Sequence, residues 1–190
     1  MFANFTMVGT GPLAAILNNS GGIGMLLRRG TGGYYVNGIL ARWPRAAFSL
    51  RDTETQSRHT NGELVIRNVA VVETGATAGT NAPVFQSGTA CPAADCRFSI
   101  DVAQNSLQIA AGDVTAASTF TSLPAAPSPT GVPDLSLSAG AAQRAGGTGA
   151  FSGALATKAG SFVTGTSYLG AWDPAGGTKW WEGWTTYARQ

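Results

Sequence analysis

The sequence predicts an all-β fold, a right-handed parallel β-helix (a solenoid) closed by an aromatic-rich C-terminal cap, and three observations predict it. Charged residues make up only 12% of the 190 residues while glycines number 26, against about 25% charge in an ordinary soluble domain. Short apolar runs recur behind an asparagine in the first half of the chain. Aromatic side chains crowd the stretch after residue 160.

The composition suits short strands joined by tight turns, since helical bundles need many Glu, Lys and Leu and few Gly. The length fits one domain with a real core and is short for two. A net charge of +2 with no run of Lys or Arg leaves no electrostatic footprint for nucleic acid or an anionic membrane surface. No apolar run approaches a membrane span, and no basic segment followed by an apolar stretch and a small-residue cleavage site opens the chain. A soluble chain, without membrane insertion, is expected. It reads as a mature or truncated chain, or as a fragment whose Met1 is not the natural start.

The recurring runs are Asn4-Phe5-Thr6-Met7-Val8, Asn37-Gly38-Ile39-Leu40-Ala41 and Asn68-Val69-Ala70-Val71-Val72, their asparagines 33 and 31 residues apart. Between them lie Gly24-Met25-Leu26-Leu27-Arg28-Arg29-Gly30 and Ala47-Phe48-Ser49-Leu50-Arg51-Asp52. A period of this size is that of stacked units, each needing a neighbour to bury its apolar face. Corners of such a stack call for Gly and Asn in the left-handed conformation.

These motifs carry a resemblance. Asn4-Phe5-Thr6 with Met7-Val8-Gly9, Gly24 to Thr31, Tyr35-Val36-Asn37-Gly38-Ile39, Pro133-Asp134-Leu135 with Ser138-Ala139-Gly140, Ser167 to Trp172, and Trp180-Trp181-Glu182-Gly183-Trp184-Thr185 together resemble a large, mostly uncharacterised family of bacterial secreted β-helix proteins. The likeness covers most of the chain and its motifs are structural. It implies a C-terminal portion whose upstream rungs are missing, so that the rung at Phe5 would be exposed and a homo-oligomer would form through it. It assigns no activity to particular residues.

By this reading residues 1–103 hold the rungs, 104–160 are a connecting region rich in Ala, Gly, Ser and Pro, and 161–190 are the cap. Residues 104–118 are expected to make one short helix, interrupted at Gly112 or Asp113. Pro124, Pro127, Pro129 and Pro133 should hold 123–134 extended over the surface. Cys91 and Cys96 flank a Pro- and Asp-containing turn and are expected to form a small disulfide, because two thiols alone do not make a structural zinc site. A disulfide implies an oxidising compartment, so the expected location is extracellular or at the cell surface.

The terminal aromatics have two readings. As a cap they cover the last rung; as binding residues, Trp172, Trp180, Trp181 and Trp184 would stack against sugar rings. Trp180 and Trp181, adjacent on a strand, would point to opposite sides.

Functional chemistry is densest in Arg51-Asp52-Thr53-Glu54-Thr55-Gln56-Ser57-Arg58-His59, which holds the one histidine of the chain. On an extended segment Asp52 and Glu54 would project to the same side. With His59 they are the candidate catalytic residues, an acid and base at a glycosidic bond, and Arg51 and Arg58 are candidate binding residues. The same carboxylates would suit Ca²⁺; no other cofactor or metal is indicated. The competing reading is a solvated loop between rungs. Phosphate-cradling loops and the Gly-x-Ser-x-Gly elbow do not occur. Three function classes follow: a noncatalytic scaffold or adhesion module, which the low density of charge and histidine favours; a hydrolase or lyase acting on polysaccharide or ester substrates through the Asp52–His59 segment; and a glycan-binding module using the terminal tryptophans.

Overall fold

The strand backbone turns at its asparagines. In the computed structural model, which describes residues 1–11, 20–75, 84–85, 107–109, 115–123 and 133–183, Asn4, Asn37 and Asn68 have φ of 55°, 57° and 51°. Among L-residues asparagine tolerates this left-handed region best. Strands β1 (Phe2–Ala3) and β2 (Thr6–Val8) lie on either side of Asn4 and both pair in parallel with β4 (Gly33–Ala41); Phe2 stands opposite Tyr35 and Thr6 opposite Ile39. Beyond β3 (Ile23–Leu27) and β5 (Ala46–Leu50), which pair in parallel with each other, β4 pairs in parallel with β6 (Leu64–Val72), Val36 opposite Arg67 and Gly38 opposite Val69. Strand β7 (Leu107–Ile109) continues that sheet on the far side of β6.

Each left-handed asparagine also reverses the inside–outside parity of its strand. Leu64 and Ile66, before Asn68, and Val69 and Val71, after it, belong to one buried cluster with Phe5, Met25, Leu27, Leu40, Phe48 and Leu50. Without the turn, side chains at even and odd positions would face opposite sides. Ile39, Ala41, Ala70 and Val72, on the other face, pack with Ala116, Phe120, Leu137 and Leu169. Gly38 is required at its place: an added Cβ would fall into the Phe5 ring stacked on it. Strand β3 alternates buried and half-buried residues along its length, the period-2 pattern of a half-buried strand.

The expectation of a parallel β-helix is overturned. The described strands fall into three small sheets, a five-stranded parallel one, a two-stranded parallel one of β3 and β5, and a two-stranded antiparallel one of β8 (Phe120–Ser122) and β9 (Asp134–Leu137). Helices α1 (Thr53–Thr60), α2 (Ala116–Thr119) and α3 (Gly153–Ala159) interrupt them, and among the described residues no sheet closes or runs on as a solenoid. The Asn-led stagger is real but local. It orders β2, β4 and β6, whereas a polar helix follows β5 and an antiparallel pair follows α2.

Two smaller expectations are corrected as well. The single helix over 104–118 is replaced by strand β7 and the short helix α2, whose Thr115 and Ser118 form a reciprocal capping box. The connecting region rich in Ala, Gly, Ser and Pro delivers Phe120 and Leu137 to the second cluster. Most of the proline-rich stretch lies outside the described residues, as do Cys91 and Cys96 with their expected disulfide.

The C-terminal region is held to the parallel sheet by the asparagines. Asn37 is fully buried. Its Oδ1 accepts from Thr148 N at 2.8 Å, while Nδ2 donates to Thr166 O at 3.2 Å and to Thr148 O and Asn4 Oδ1 at 3.3 Å each. Asn4 Nδ2 donates to Thr164 O at 2.8 Å, and Asn68 Nδ2 donates to Thr148 Oγ1. Gly170 N donates to Asn37 O, and Ala171 N to Thr6 Oγ1, both at 3.0 Å. Buried amides satisfied in this way fix one docked arrangement.

Candidate functional site

The charged segment does not run extended. Asp52, at φ 67°, is the N-cap of α1, and its Oδ1 accepts from Thr55 N at 2.9 Å. The other carboxylate oxygen accepts from Arg29 N on the preceding turn. Burial opposes charge on this carboxyl; hydrogen bonds from the Arg29 and Thr55 amides, the Thr55 hydroxyl and the Gly30 amide outweigh it and hold the group below its ordinary range. At its other end the helix closes with a Schellman motif: Glu63 N donates to Arg58 O, and Gly62 N, at φ 73°, to His59 O. Glu54 in the first turn and Arg58 in the last complement the helix dipole.

This geometry corrects the expected alignment of Asp52 and Glu54. Two positions apart on a helix, side chains diverge by about 200°, where on a strand they would share a face. Asp52 and His59 stand at opposite ends of the helix, separated by about 10 Å of rise. Glu54 is exposed. His59 Nδ1 lies 3.3 Å from Leu64 O. Arg58 pairs with Glu63, both about half exposed. Arg51 turns back onto the β5 face, where Nε donates to Ser49 Oγ at 3.0 Å; burial, followed by the charges of Arg45 and Arg28, lowers its pKa. Among the described residues no group of three or more His, Cys, Asp or Glu side chains is placed to hold a metal ion.

Of the candidate binding residues near the C-terminus, Trp172, Trp180 and Trp181 come together. Trp181 lies edge-on to both others, with ring centroids 5.3 Å apart in each case. Trp180 Nε1 donates to Ala171 O at 3.0 Å, and 57% of Trp180 is exposed. These residues are in turns, so the expected strand alternation of Trp180 and Trp181 does not apply. Trp184 lies outside the described residues.

A cleft of about 650 Å³ opens at the C-terminal end of α1, lined by Tyr34, Arg58, Asn61, Glu63, Lys158 and the backbone of Gly30, Gly32 and Gly62. Tyr34, from the start of β4, is tethered by its hydroxyl to Gly62 O at 3.1 Å. Lys158, from α3, places Nζ 5.9 Å from the Tyr34 ring centroid, within cation–π reach. Of the candidate site residues among those described, Arg58 is the one that lines this cleft. Tyr34 and Lys158 stand 124 positions apart in the chain, so no local motif joins them. Gly62 as a helix C-terminal signal was the readable clue to this corner.

Comparison with protein-family models, with curated proteins and with solved structures found no match. Among the described residues no helix is long and apolar enough to cross a membrane.

Proposed function

We propose that the chain is a noncatalytic module of the extracellular or cell surface, a scaffold for adhesion rather than an enzyme. The observation that carries this reading is how the polar atoms of the densest chemical segment are used. Both Asp52 oxygens accept backbone N–H groups, His59 Nδ1 is set against Leu64 O, and Arg58 is paired with Glu63. A general acid or base needs hydrogen-bond reach to a substrate proton, about 3 Å. The three candidate catalytic groups are instead spread along both ends of one short helix.

A screen of the purified chain against polysaccharides and activated esters, with and without chelator, tests the reading. No turnover is expected under any condition. Turnover that His59→Ala abolishes would replace the scaffold with the hydrolase or lyase reading.

A second reading, glycan binding at the terminal tryptophans, is favoured by one observation, the exposed Trp180 ring beside Trp172 and Trp181. Indole faces of this kind stack against sugar rings. Loss of glycan retention in Trp180→Ala would support it, and retention unchanged by that substitution would remove it.

A further inference from the structure

We infer that the cleft between α1 and α3 is a binding site for an acidic saccharide, a glycan containing uronate residues. The inference goes beyond the scaffold reading and stands apart from the terminal tryptophans.

The cleft's size lies within the roughly 300–1,000 Å³ of small-ligand sites, too large for a lone inorganic anion. Its lining is polar: a phenol, a carboxamide, two cations, one carboxylate and three glycines. Apart from the Tyr34 ring, the lining leaves an apolar ligand little surface to bury. Among the described residues no carboxylate pairs with Lys158, so the cleft carries one uncompensated positive charge beside the Arg58–Glu63 pair.

A uronate combines, on one ring, an apolar C–H face and a carboxylate. Tyr34 offers an aromatic wall, and the Lys158 ammonium lies over that same ring, so the two features are matched side by side. The half-exposed Arg58 guanidinium has five N–H donors in all and uses Nη1 for Glu63. The Asn61 amide and the glycine backbones can serve sugar hydroxyls. At Gly62 and Gly30, both at φ 73°, the absence of a side chain lets a ligand approach the main chain closely.

The site has two halves. Tyr34, Arg58, Asn61 and Glu63 belong to the β4–α1–β6 corner, while Lys158 arrives on α3 within the segment that Asn4 and Asn37 hold down through Thr148, Thr164 and Thr166. Binding therefore bridges the corner and the docked segment.

Calorimetric titration of the full chain with a trigalacturonate, the matched neutral trisaccharide and a triaspartate peptide of equal charge tests the proposal. The uronate is expected to bind at least about tenfold more tightly than either control. Lys158→Glu should weaken it about tenfold or more, the loss of one charge-assisted contact, and Lys158→Arg should retain most of the affinity. Because Lys158 is exposed, both variants should fold, which circular dichroism checks. Bound uronate should also slow amide exchange in residues 153–160. Equal binding of the neutral sugar, equal binding of triaspartate, affinity unchanged by Lys158→Glu, or no binding of the uronate would each overturn the proposal. Hydrolysis of the uronate would count against the scaffold reading alone.

Discussion

Replacing Asn37 by alanine removes the polar hub that joins the two halves of the molecule. The residue is fully buried with φ at 57°. Alanine in the left-handed region costs roughly 1–2 kcal/mol, a strain that asparagine partly avoids. Thr148 N, which donates to Asn37 Oδ1 at 2.8 Å, would lose its acceptor, and an unsatisfied buried group costs about 1–3 kcal/mol. The carbonyls of Thr148 and Thr166 lose a donor as well. Together these give a destabilisation of about 3–5 kcal/mol, a large fraction of the roughly 5–15 kcal/mol of a folded domain. Asn37→Gly removes the strain but not the lost hydrogen bonds, so it should be milder by about 1 kcal/mol. Urea unfolding followed by tryptophan fluorescence measures both, and hydrogen exchange over residues 147–171 should rise in both variants. A loss below about 1 kcal/mol for Asn37→Ala, with exchange unchanged, would refute the account of the docked segment.

Other outcomes follow from the same geometry. Gly38→Ala forces a methyl into the space of the Phe5 ring and should cost about 1–3 kcal/mol by overpacking, read from denaturant midpoints. Gly62→Ala, at φ 73° in the helix-terminating motif, should cost about 1 kcal/mol, with thermal melts as the check. Asp52 and Asp134 both have depressed carboxyl pKa values. At Asp134 burial opposes charge and is outweighed by hydrogen bonds from Lys179 and Ser136. A depressed folded value means that the stabilisation is fully present above the unfolded value of about 3.8 and is lost as pH falls through the folded one. Acid titration of unfolding free energy should therefore steepen below pH of about 4, and Asp134→Asn should flatten that slope.

The parallel stagger of the sheet was legible because it is written in local chemistry, an asparagine that takes the left-handed turn ahead of a buried run. The step from that stagger to a solenoid failed, because neither α1 nor the antiparallel pair of β8 and β9 leaves an apolar period to read. Helix α1 buries Thr55 alone, so its only sequence signals were its caps: Asp52, inside a run of charges that reads as a loop, and Gly62, just beyond it. The docking of Thr148, Thr164 and Thr166 on Asn4 and Asn37 joins residues 111 to 162 positions apart, through threonines that nothing in the sequence distinguishes from their neighbours. The cleft was hidden for the same reason: Tyr34 and Lys158 meet only because that segment docks.

On the proposal that the polar residues of α1 build a corner rather than carry out catalysis, Asp52→Ala should destabilise the fold, and equilibrium unfolding measures that loss. Loss of an N-cap costs about 0.5–2 kcal/mol, and here the Arg29 amide loses its acceptor too, so a destabilisation of about 1–3 kcal/mol is expected. Unchanged or increased stability in Asp52→Ala, the behaviour of a carboxylate held for function at the expense of the fold, would contradict it.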